Sequence, residues 1–167
     1  MPEKQTLARA RADKRQGKAP STQAGEFIKE EMDHIREGVH GARSAKQAIA
    51  IGLSKARRAG VDLPPPKSGK TSEATRKQAA RDLAKGRHAS VSSPSSKRSR
   101  ATLKALQRES TAAASPRALS RQAHAAAGGR SAAERSAAGR RASRTKGAAE
   151  RSAAAVKAAH TRASHPA

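Results

Sequence analysis

Ten of the chain's eighteen Val, Ile, Leu, Met and Phe residues fall between Phe27 and Leu63. A fold is limited by where it can bury large apolar side chains, so this clustering confines the expected core to one short stretch. Ile, Leu, Val and Phe together number only 16 of 167 residues, and 36 basic against 13 acidic side chains give a net charge of +23. Low apolar content with high charge is the composition of chains that stay unfolded, because burial cannot offset a backbone entropy cost of about 1–2 kcal/mol per residue. Most of the remaining hydrophobic content is Ala, whose methyl group returns little on burial. The expected fold is mostly α: a small helical hairpin at about 23–60, then a low-complexity, largely disordered basic tail with transient helices.

Charge runs opposite to apolar content. Residues 1–66 carry 13 basic and 8 acidic side chains, a net of +5, whereas residues 67–167 carry 23 and 5, a net of +18. Four regions follow: a flexible basic arm at 1–20, the hairpin head at 21–63, a Pro/Ser-rich basic linker with short helices at 64–111, and an Ala/Arg/Ser-rich tail at 112–167.

Within the head, Ile28, Met32, Ile35 and Val39 recur at one helical face, predicting a helix from about Gln23 to Glu37. Ser21 or Thr22 is placed to cap it, Glu26, Glu30 and Glu31 to complement its dipole, and Gly38 to end it. Ser44 and Gln47 form a capping-box pattern for a second helix, which Gly60 and Val61 close. Ile28, Ile35, Ile49 and Leu53 are the expected helix–helix contact. Pro64, Pro65 and Pro66 then bar further helix. Beyond them, Ser72 to Lys85 reads as a short helix stopped by Gly86.

In the tail, 22 of the 56 residues from Ala112 onward are Ala, and AAERSAA occurs at 132–138 and again at 148–154. Ser115-Pro116 and Ser131 with Glu134 read as helix starts. Helices without a packing face are marginal in water, which is the ground for expecting disorder there.

Most chemistry is excluded. With no Cys, disulfides, thiolate metal sites and a Cys nucleophile are ruled out. Gly69-Lys70-Thr71 ends like a phosphate-binding loop, but the required preceding Gly is Pro64 and no apolar strand leads into it. His34/His40 and His160/His165 have spacings seen in zinc modules, yet no second pair completes a site, and the six histidines read as solvated. Glu30, Glu31 and Asp33 read as dipole complementation rather than acid–base partners. No enzyme activity, no cofactor and no metal are expected. No apolar run reaches transmembrane length and the N-terminus lacks a signal-like apolar region, so a cytoplasmic, nucleoid-associated location is the expectation.

Residues 21–66, through STQAGEF at 21–27, HGARSAKQAIAIGLSKARRAG at 40–60 and the prolines that follow, resemble a family of small, uncharacterised basic proteobacterial proteins. That resemblance implies little about mechanism. Residues 87–167 resemble linker-histone tails in their Ala, Ser, Pro, Lys and Arg composition, which implies binding to DNA.

A net of +23 goes well beyond solubility needs and draws a chain to polyanions. The expected function is nucleic-acid binding through phosphate contacts without sequence preference, with DNA ahead of RNA. The expected contacts are Lys55, Arg57, Arg58, Lys97, Arg98, Arg100, Arg140, Arg141, Arg144 and Lys146. Phe27 is the sole aromatic, so base-stacking platforms are missing. Rival readings are an adaptor whose head binds a protein or a second copy, and an electrostatic binder of anionic membrane surfaces without insertion.

Overall fold

The computed structural model describes residues 2–88, 95–145 and 147–164, and the side chains of all of these except Ala142, Arg144, Thr145 and Arg162. Eight α-helices occur among them: α1 Lys4–Arg15, α2 Pro20–Arg36, α3 Ala45–Arg58, α4 Glu73–Arg87, α5 Ser96–Gln107, α6 Pro116–Gly128, α7 Ala132–Thr145 and α8 Ala148–Ser164. A 3₁₀ turn, Thr111–Ala114, precedes α6. Backbone contacts divide the chain into two units, Met1–Gln122 and Ala123–Ala167.

The expected hairpin is the centre of the first unit. Gly38, at φ 76°, lets the Val39 N–H return to the His34 carbonyl and the Gly38 N–H to that of Ile35, which ends α2 in a left-handed cap. Its start differs from the expectation: Pro20 opens the helix after Ala19, and Ser21 and Thr22 lie inside it. Ser44 caps α3 by accepting the Gln47 N–H at 3.2 Å. The Gln47 side chain reaches back one residue further than a capping box requires, to the Arg43 N–H. Val39, expected on the apolar face, lies past the helix end and is exposed.

Two clusters pack α2 against α3. Ile35 is fully buried with Met32, Ala42 and Ala48, and Ile28, Ile49 and Leu119 pack around them. Phe27 is fully buried with Ala24, Ala56, Ala10 and Val61, bordered by Leu7, Leu53 and Leu63. Small residues bring the two helices close. A β-carbon on Gly52 would stand 2.8 Å from the Ile28 α-carbon.

The first unit reaches beyond the hairpin on both sides. The stretch 1–20 is not a loose arm, because α1 lays Leu7 and Ala10 on the Phe27 cluster and Arg9 pairs with Glu26 at 2.6 Å. Helix α4 packs on α3 through Ala79 and Leu83, and it runs past Gly86 instead of stopping there. Finally, Gly41 and Ala42 donate backbone hydrogen bonds to the carbonyls of Leu106 and Ser110, and Ala113 and Ala114 enter the Ile35 cluster.

The expected disordered tail is corrected outright: residues 95–145 and 147–164 are mainly helical. Local interactions account for this. Ala and Arg have high helix propensity, and the starts of α6 and α7 carry side-chain caps. Ser131 and Glu134 exchange a reciprocal pair, with the Glu134 N–H on the Ser131 hydroxyl at 3.2 Å and the Ser131 N–H on the Glu134 carboxylate at 2.9 Å. The Ser115 hydroxyl accepts the Ala118 N–H at the start of α6. Both copies of AAERSAA open a helix in the same register, at Ala132 and Ala148. Within the 87–100 Ser-rich stretch, residues 89–94 lie outside the described residues.

Candidate functional site

The cations expected to meet nucleic acid fall into two groups. Those of the head are engaged within the chain. Lys55 stands 2.7 Å from a Glu31 oxygen and 3.5 Å from a Glu30 oxygen. Arg57 is buried and donates to the carbonyls of Leu63 and Pro64, at 3.0 and 3.3 Å, tying the proline segment to the end of α3. Burial pushes its pKa down, against the opposing influence of Asp82. Arg58 donates to Asp82 at 2.8 Å, and Asp82, itself buried, also accepts from Ser54 and Gln78.

Lys97, Arg98 and Arg100 on α5, and Arg140 on α7, are exposed and form no ion pair or side-chain hydrogen bond among the described residues. Arg141 is exposed on α7. The Arg144 side chain and Lys146 lie outside the described residues. Helix α5 buries none of its residues, so its basic face is open throughout.

A second polar cluster forms inside the head. Glu30 and Glu31 lie past the middle of α2 and are buried, so dipole complementation does not explain them. Asp33, by contrast, faces outward between Lys29 and Arg36; the hydrogen bond from Lys29 holds its carboxyl below the usual aspartate range, and both cations add to the effect. Nor are all the histidines solvated. His40 is buried, His34 is half-buried, and their rings meet edge to face with centroids 6.2 Å apart.

The chain turn at Gly38 brings His40 back beneath α2. There His40 Nδ1 lies 3.1 Å from the Gly41 carbonyl and His40 Nε2 lies 3.5 Å from Glu31 Oε1. His34 Nε2 lies 3.0 Å from a Glu3 oxygen, and the Glu3 N–H donates to Glu30 Oε2 at 3.2 Å. Neither Glu31 oxygen accepts a hydrogen bond among the described residues, nor does Glu30 Oε1. The Lys55 ammonium is close enough for ion pairing but poorly aligned for donation. The i, i+3 spacing of Glu31 and His34 was a usable sequence signal, since it places both on one helix face.

Residues 15–68 match a family described as "Family of unknown function (DUF6496)", about a third of the chain. No curated protein and no solved structure matches the sequence. No helix among the described residues is long and apolar enough to cross a membrane. The matched stretch spans α2, α3 and the loop between them, and therefore holds Glu30, Glu31, His34, His40 and Lys55 together.

Proposed function

We propose that this chain binds duplex DNA through its phosphate backbone, without reading sequence, using the exposed cations that follow the head. The observation that carries this reading is the contrast between the two groups of cations. Lys55, Arg57 and Arg58 are committed to internal partners, whereas Lys97, Arg98, Arg100 and Arg140 are exposed and have none among the described residues. Cations without internal partners release counterions when they meet phosphate, and that release drives association at low salt. Stacking on unpaired bases is disfavoured, because the one aromatic side chain, Phe27, is fully buried.

The test is the salt dependence of binding to unrelated duplexes, followed by fluorescence anisotropy. If about 6–10 phosphates are neutralised, log K should fall against log salt with a slope of about −5 to −9. Replacing Lys97, Arg98 and Arg100 together by Gln should make the slope shallower by about 2–3. The same substitutions leave the core untouched, so helicity should be unchanged. A shallow slope with one strongly preferred duplex would make the protein a sequence reader. Absence of binding to DNA at physiological salt would leave the head as the functional part, and the adaptor reading would replace this one.

A further inference from the structure

We propose that Glu31, His34 and His40 form a binding site for a divalent transition-metal ion, with zinc the best fit. Each of the three offers one ligand atom, and these atoms lie within 4.8 Å of one another. The strongest support comes from Glu31. Its side chain is 0% exposed, and Oε1 points at His40 Nε2 from 3.5 Å without a hydrogen bond among the described residues. A buried carboxylate oxygen left in that condition is costly, and a cation between it and the imidazole removes the cost.

The tautomer of His40 sharpens the argument. With Nδ1–H donating to the Gly41 carbonyl, Nε2 presents its lone pair toward Glu31. Two acceptors then face each other across a gap too long for a good hydrogen bond. A backbone carbonyl on the far nitrogen is also the partner that orients metal-binding imidazoles. Charge agrees: Lys55 pairs with Glu30 and Glu31, Glu3 stands against His34, and these three carboxylates and one ammonium give the cluster a net of −2 before the imidazoles are counted. A divalent ion balances it. Lys55 takes the Glu31 Oε2 side and leaves Oε1 to the metal.

The donor set selects the ion class. Two imidazoles and one carboxylate suit zinc and its first-row neighbours, whereas calcium and magnesium require mostly oxygen donors. Zinc accepts three protein ligands with water as the fourth.

The test uses the full chain, stripped with chelator and titrated with zinc chloride by calorimetry. One equivalent should bind, and zinc should raise the melting temperature, because the three ligands converge only in the folded head. His34→Gln and His40→Gln should each weaken zinc binding by about 100-fold or more, which exceeds the effect of losing an outer-shell partner. His34 is half-buried, so its substitution should preserve the fold even if that of His40 does not. A double variant, His124→Gln with His160→Gln, should bind zinc as the parent does. The assignment is overturned if the parent takes up no zinc, if uptake survives unchanged in both head variants, or if the tail variant abolishes it. None of these outcomes depends on DNA binding.

Discussion

Gly86 of α4 lies against the carbonyl of Arg57 so closely that a β-carbon at position 86 would stand 1.9 Å from that oxygen and 3.1 Å from the Gly60 nitrogen. Both neighbours are backbone at the end of α3 and cannot rotate away. Gly86→Ala should therefore force α4 off α3 and cost about 1–3 kcal/mol, despite a gain of about 1 kcal/mol in helix propensity. Gly139→Ala is the control: its β-carbon would meet nothing within 4 Å. There only the propensity gain should remain, so urea unfolding should move in opposite directions for the two variants.

Arg57 ties the proline segment to α3 through two carbonyls that a planar guanidinium can reach together. Arg57→Lys keeps the charge but not the fork. A loss of about 1–3 kcal/mol is expected from a buried charged group left with fewer hydrogen bonds. The salt slope of DNA binding should stay at the parent value, because this cation faces inward. A shallower slope would place Arg57 on phosphate instead.

Asp33 sits in the last turn of α2, where negative charge is unfavourable, and is compensated by Lys29 and Arg36. Its folded pKa lies below the ordinary value near 3.8. A depressed carboxylate stabilises above its unfolded pKa and loses that contribution as pH falls through the folded one. Asp33→Asn should thus cost a few tenths of a kcal/mol at neutral pH, as exposed pairs do. At pH low enough to protonate the parent, the difference should vanish. Thermal melts of both proteins across that range provide the check.

The Ser131–Glu134 exchange is the local device that starts α7. Ser131→Ala should cost that helix about 1 kcal/mol. Amide exchange and carbon chemical shifts for residues 132–145 should report the loss, with α1 to α3 unaffected. Equal loss in α2 would mean the tail helices and the head melt together.

The parts of the fold that were legible in the sequence were those coded locally. Gly38, Ser44 and the Ser131–Glu134 pair each act through backbone groups a few residues away, so their positions alone announce them. What escaped was packing by small residues. Counting large side chains gives alanine no weight, yet Ala24, Ala48 and Ala56 are fully buried, and Gly52 and Gly86 permit backbone-to-backbone approach. Helices α1 and α4 dock through one leucine each, Leu7 and Leu83, together with Ala10 and Ala79, too few large side chains to give an apolar periodicity. The tail was misread for the opposite reason, since it folds into helices by propensity and capping with few buried residues to signal it. At the candidate metal site, the Glu31/His34 spacing was visible. His40 joins them only because of the turn at Gly38 and the backbone bonds that hold Gly41 and Ala42.

Those last bonds carry a consequence for synthesis. The Ile35 cluster is completed by Ala113 and Ala114, which arrive on the ribosome 47 and 48 residues after Pro66. At about 5–20 residues per second, a nascent head waits roughly 2–10 s with one side of its apolar cluster uncovered. Throughout that interval the half-built domain is open to chaperones and to other unfinished chains. Synonymous codon changes that slow translation between Pro66 and Ala114 would lengthen the exposure without altering a single residue of the finished protein.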